Sequence, residues 1–221
     1  YRIFWARVRH VNLLCDMCET WGQKNLFPRT RPCITLRHLP PPHTATCFPE
    51  QYGTSAGNGT GQHLSGELLA SMGKLSMRHV PYRGAAPALT AVISGEVQMA
   101  FLVPPLVTQY LPIGKLRALG ISSAARSAVF PQIQTLQEQG VRGYEALQWH
   151  GFFGPAAIPD AIVNTLHAAI VKALAHPEVK SRLSSEGAEI VGSTPAQFAA
   201  YFQSEVAKWT GVAKRAGIQP Q

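Results

Sequence analysis

Residues 51–62 read Gln-Tyr-Gly-Thr-Ser-Ala-Gly-Asn-Gly-Thr-Gly-Gln, residue types that suit the capture of an anion by backbone amides. Gly57, Gly59 and Gly61 carry no Cβ, so the chain can turn tightly there and a ligand can approach the N–H groups. Thr54, Ser55, Asn58 and Thr60 add side-chain donors and acceptors. Leu64, Glu67, Leu68, Leu69 and Met72 follow at roughly helical spacing, in a pattern that opens at His63. The run thus feeds the first turn of a helix, where unpaired N–H groups and the positive end of the dipole favour a carboxylate or phosphate. It is not a P-loop, because no Gly-Lys-Ser/Thr follows. Nor is it a dinucleotide fingerprint, because Gln62 stands where the third glycine counted from Gly57 belongs. On composition alone a plain surface turn is the competing reading.

The elements that must position this loop are legible downstream. A strand is predicted over 75–82, ending at Pro81 and Tyr82, then a turn at Arg83 and Gly84 and a helix over 85–94 stopped by Gly95. The near-continuous apolar run 97–103 suits a strand buried on both faces, terminated by Pro104 and Pro105. Further predictions are strands over 116–121 and 149–153, a short helix over 132–139 and a turn over 140–143. Strands alternating with helices of about ten residues indicate an α/β domain with a largely parallel sheet. Ligands of such sheets lie outside the carboxyl ends of the strands.

The last seventy or so residues read as helical. An amphipathic helix over 162–174 stops before Pro177, and a shorter one over 178–186 ends at Gly187. Thr194 with Gln197 forms a capping box, with Pro195 at the first helical position. The stripe Phe198, Tyr201, Phe202, Val206, Trp209, Val212 reads as core packing and not as a ligand box.

Composition narrows the class. The chain has 221 residues, 46% of them hydrophobic, with mean hydropathy near zero, as expected of a soluble globular protein. No run approaches the roughly 18 apolar residues of a membrane span. The net charge of +8 is spread out: residues 1–50 carry 7 Lys+Arg against 3 acids, and 51–221 carry 13 against 9. Without a basic stripe interleaved with aromatics, a solvated basic surface is favoured over nucleic-acid binding. A positive field would still attract a small anion.

Residues 1–50 differ in character. They hold all four cysteines and six of the seventeen prolines, and they read as an atypical, poorly structured segment. Cys15 and Cys18 form a Cys-x-x-Cys, but Cys33 and Cys47 lack the close spacing of a zinc ribbon. Neither a metal nor a cofactor is expected. Tyr1 stands where a methionine would begin a chain and no signal peptide is visible, which reads as a fragment or a processed product.

Four segments together resemble a known family. They are residues 52–64 (Tyr-Gly-Thr-Ser-Ala-Gly-Asn-Gly-Thr-Gly-Gln-His-Leu), 79–89 (His-Val-Pro-Tyr-Arg-Gly-Ala-Ala-Pro-Ala-Leu), 114–119 (Gly-Lys-Leu-Arg-Ala-Leu) and 192–198 (Gly-Ser-Thr-Pro-Ala-Gln-Phe). In this order they resemble the Bug-type solute receptors of tripartite tricarboxylate transporters. The resemblance implies a periplasmic binding protein of the type II, two-lobed flytrap kind. It also implies capture of a small organic carboxylate, delivery to membrane subunits of the transporter, no catalysis and no nucleic acid. It places the ligand at Thr54, Ser55, Gly57, Asn58, Gly59, Thr60 and His63, and at Tyr82, Arg83, Gly84 and Ala85. Gly84 and Ala85 are expected to offer N–H groups, Arg83 to clamp a carboxylate or face solvent, and His63 to cap the loop or fix Asn58.

Family members have about a hundred or more residues before this loop, which 1–50 do not match. Most of the first lobe is therefore expected to be missing, with 51–150 a ligand-binding lobe and 151–221 a crossover and helices that would complete the first. Residues 1–50 are read as a truncated product partly out of frame, which would leave a defective receptor. Ala100, Phe101, Leu102 and Val103 stand where many members carry an acid, which argues against a ligand amine. The alternative function is an α/β enzyme acting on a small anion at the same loop, although Ser55 and His63 lack an acid partner.

Overall fold

The computed structural model describes residues 2–11, 13–16 and 51–219. Two sheets are built from β1 (Arg2–Val11), β2 (Leu13–Asp16), β3 (Gln51–Ser55), α1 (Gly61–Gly73), β4 (Met77–Pro81), α2 (Ala85–Ser94), β5 (Met99–Leu102), α3 (Pro104–Val107), β6 (Arg117–Ile121), β7 (Leu147–Gly154), α4 (Asp160–Leu174), α5 (Pro177–Ser185), β8 (Ala188–Ile190) and α6 (Pro195–Arg215). The larger sheet runs β4-β3-β5-β2-β6 and the smaller β7-β1-β8.

The larger sheet is the middle of three layers. Along β5, Ala100 and Leu102 join Leu89 and Val92 of α2 in one core. Met99 and Phe101 join Leu68 and Leu69 of α1 in the other. Period-2 alternation between two covered faces is why this segment reads as an unbroken apolar run. β3 pairs parallel with both β4 and β5, so the connections through α1 and α2 leave toward opposite faces. In such a sheet the crevice opens at the carboxyl ends of the strands, where the order reverses.

The smaller sheet rests on aromatic packing. Trp149 and Phe153 of β7 meet Phe198 of α6 edge-on, with centroids 5.3 and 5.8 Å away. Gly151 lies between them, and a Cβ there would stand 2.5 Å from Phe198 Cζ, so only glycine lets the ring lie on the strand. Further along α6, Trp209 and Val212 enter the core under α1. At the helix midpoint the buried Glu205 accepts from the indole N–H of Trp149 (3.3 Å) and of Trp209 (2.9 Å). One helix thereby braces both sheets.

Four sequence expectations need correction. Residues 2–11 and 13–16, expected to be poorly structured, form strands: β1 is the central strand of the smaller sheet, and β2 lies antiparallel between β5 and β6. A register shift between Phe4 and Val8 interrupts the alternation of β1, which hides its period. The larger sheet is therefore mixed and not largely parallel. Residues 132–139 form turns, with Thr135 bridging Ile121. Glu138 accepts from Thr135 N–H and its own N–H donates to Thr135 Oγ1, which satisfies the backbone locally without a helix. Finally, 51–55 is a strand, so the glycine-rich loop shortens to 56–60. The cysteine readings fall outside the described side chains.

Candidate functional site

The loop 56–60 joins β3 to α1 and the turn 82–84 joins β4 to α2, so both leave adjacent parallel strands at their carboxyl ends. Two backbone bonds tie them together: Tyr82 N–H to Ser55 O and Gly84 N–H to Ala56 O, each 3.1 Å. Two helix N-termini are therefore neighbours. Gly57, Gly59 and Gly84 take φ of 148, 71 and 117°, a region closed to most side chains, which is why this geometry needs glycine.

Most of the loop's polar groups are spent on the loop itself. Thr60 caps α1, accepting from His63 N–H at 3.4 Å and donating to Gly57 O at 2.8 Å. Gln62 accepts Ala56 N–H (2.9 Å), Ser55 Oγ accepts Gly57 N–H (3.2 Å) and His63 Nδ1 accepts Gly59 N–H (3.1 Å). Thr54 Oγ1 donates to Val80 O at 2.8 Å, and both Thr54 and Ser55 are buried. Among the described residues, the backbone N–H groups of Asn58, Gly61, Gln62, Ala85 and Ala86 carry no hydrogen bond. Five donors at two helix starts are left for an anion.

The sequence-assigned residues accordingly divide. Asn58, Gly59 and Arg83 are exposed on the rim, with Gly57, Thr60 and Ala85 half-buried beside them. Gly84 does not offer its N–H, because Ala56 O takes it. His63 holds Gly59 rather than Asn58. Tyr82 is half-buried, and its side chain packs against the core on the α2 face.

Beneath the loop lies a polar cluster that sequence reading only partly anticipates. The rings of His63 and His79 stack at 3.5 Å with a 12° interplanar angle, His79 Nε2 lies 2.7 Å from Ser55 Oγ, and His63 Nε2 lies 3.5 Å from Glu67 Oε1. Burial, reinforced by His63, pushes His79 down to about 4. Burial also lowers His63, partly offset by Glu67. Both rings are neutral near pH 7. The i,i+4 spacing of His63 and Glu67 was a visible signal, whereas His79 becomes relevant only through its register with Gly53, two residues before Ser55 on the same strand.

A cavity of about 20 Å³ sits among Thr54, His63, Glu67, His79 and Phe101, room for about one water and far too little for an organic acid. The exposed residues Asn58, Gly59 and Arg83 form an open rim above it. Ser55 is 1% exposed, so its hydroxyl cannot reach a substrate as a nucleophile. Among the described residues, no cluster of three or more His, Cys, Asp or Glu could hold a metal. No described helix is long and apolar enough to cross a membrane.

Comparison with known proteins agrees in class. The profile described as tripartite tricarboxylate transporter family receptor matches residues 44–218. A UPF0065 protein from the tcbD-tcbE intergenic region of Pseudomonas sp. (strain P51) is 37% identical over 156 residues, 70% of this chain and 46% of that protein. The chain thus spans about half the length of this relative. The structure of R. palustris Rpa4515 with adipate superposes with a TM-score of 0.76 at 27% identity, covering 100% of this chain and 70% of that one. That of the periplasmic binding protein BugD gives 0.73 at 22%, covering 100% and 70%.

Proposed function

This chain belongs to the tripartite tricarboxylate transporter receptor family, and on that premise we propose that the paired loops 56–60 and 82–85 capture a carboxylate group of a small organic acid. Its fold is that of the periplasmic binding proteins of this family, type II-like and two-sheeted. The receptor works outside the cytoplasm and hands its ligand to the transporter's membrane subunits.

One observation carries this reading: the bonds from Tyr82 and Gly84 to Ser55 and Ala56 hold two helix N-termini side by side, with five unpaired amides at their starts. Amides fixed by the fold bind a carboxylate with little reorganisation and need no buried countercharge. Arg83 on the rim and the net charge of +8 add a favourable long-range field. The adipate bound by Rpa4515 makes a dicarboxylate the first ligand class to try.

Calorimetric titration tests the reading. Adipate, succinate or malate is expected to bind saturably at one site, while adipamide, which has the length of adipate but no carboxylate, gives no heat of binding. Equal binding of adipamide, or no binding of any carboxylate by the folded chain, would overturn it.

A further inference from the structure

We infer that His63, held by its stack on His79, is a positioning residue of the carboxylate loop: it touches no ligand and fixes the Gly59 amide so that the free amides around it keep their place. The inference rests on the carboxylate reading of this loop, and its observations are separate from that reading. Gly57 and Gly59 are the least restricted residues of the segment, and the freedom of such residues is lost when a ligand orders them. A loop ordered beforehand by the protein avoids that loss at the moment of binding.

Each glycine of the loop has its own tether. Gly57 is held through its N–H by Ser55 Oγ and through its carbonyl by Thr60 Oγ1. Gly59 is held through its N–H by His63 Nδ1. This last bond fixes the tautomer, because a nitrogen that accepts from an amide carries no proton. The ring proton is then on Nε2, facing Glu67 Oε1 at 3.5 Å.

The ring itself is fixed on two further sides. It is 8% exposed and stacked on His79, whose Nε2 is bound to the same Ser55 that tethers Gly57. The two tethers are therefore one assembly, in which Ser55 and His79 hold the first glycine and His79 and His63 the second. The titratable and charged groups around the pair are Glu67 on α1 and Arg78 on β4; those parts of β3 and β5 that line the cavity contribute none. Protonating His63 at Nδ1 would set a ring N–H against the Gly59 N–H, so only the neutral ring can do this work.

The test uses the intact, isotopically labelled chain and isosteres of the two ring nitrogens. Asn places its amide oxygen near the position of Nδ1, whereas Gln reaches the position of Nε2. His63→Asn is expected to keep Gly59 protected from amide hydrogen exchange and to keep adipate affinity within about threefold of wild type. His63→Gln and His63→Phe are expected to lose about tenfold or more in Gly59 protection, with core amides such as Leu102 and Val92 unchanged, and to bind adipate about tenfold more weakly. Unchanged Gly59 protection in His63→Phe overturns the inference, as does full adipate affinity once that protection is lost. Should the wild-type chain bind no adipate, the carboxylate reading falls, while exchange at Gly59 still decides whether His63 holds the loop.

Discussion

Gly84→Ala is expected to weaken adipate binding by about tenfold or more while lowering the melting temperature by only a few degrees. Gly84 sits at φ 117° and ψ 166°, a region populated almost only by glycine and costing other residues about 1–3 kcal/mol. Space is not the obstacle, since the nearest atom to an added Cβ is Pro87 Cδ at 3.8 Å. The strain is relieved by swinging φ negative, which rotates the peptide plane and withdraws the Gly84 N–H from Ala56 O. That bond and its neighbour from Tyr82 are what bring the start of α2 beside the start of α1, so the two amide groups separate. Gly66→Ala is the matched control: Gly66 lies within α1 with nothing within 4 Å of an added Cβ, and the change should leave binding intact and add about 0.4–1 kcal/mol of stability. Isothermal titration with thermal melts separates the two effects. Wild-type affinity in Gly84→Ala would show that the α2 terminus takes no part in the site.

The largest effect on stability is expected from Phe198→Ala, about 3–5 kcal/mol, or roughly 10 °C for a chain of this size. Phe198 is fully buried and meets Trp149, Phe153, Tyr201 and Phe202 at centroid distances of 5.3–6.3 Å. It fixes the first half of α6 on the smaller sheet, while the second half holds α1 through Trp209 and Val212. Gly151→Ala errs in the opposite direction, driving a Cβ to 2.5 Å from Phe198 Cζ at an overpacking cost of about 1–3 kcal/mol. In the double variant the added methyl enters the space the ring vacates, so the two costs should sum to more than the pair shows. Denaturant unfolding measures all three. A Phe198→Ala cost below about 1 kcal/mol would contradict the bracing role given to α6.

Local rules make part of this architecture legible in the sequence. The capping box of Thr194 and Gln197 with Pro195 at the first helical position is present as read, and α2 runs from Ala85 to Ser94 as its apolar stripe and Gly95 indicate. Helix caps act within a few residues, which is why they survive in sequence. What escaped depends on partners distant in the chain. β2 is four residues held on both sides by β5 and β6, too short to show a period of its own. β1 is broken by its register shift.

In the loop, glycine and hydroxyl composition marks a segment rich in amides but not the division of labour inside it. Composition treats every glycine amide as available, whereas Gly57, Gly59 and Gly84 have theirs occupied by Ser55, His63 and Ala56. His79 stands 16 residues after His63, and only the pairing of β4 with β3 puts it beside Ser55. A stacked histidine pair is a product of tertiary register, invisible to spacing rules that work along one element.

The proposed function requires a carboxylate to occupy the amides that the fold leaves free. The measurement that reaches this most directly is amide chemical-shift mapping of the labelled chain during titration with adipate. The largest saturable shifts are expected at Asn58, Gly61, Gln62, Ala85 and Ala86, with small ones at Gly59 and Gly84, whose amides stay bonded to His63 and Ala56. Saturable shifts confined to other parts of the chain, or none at millimolar adipate with the fold intact, would contradict it.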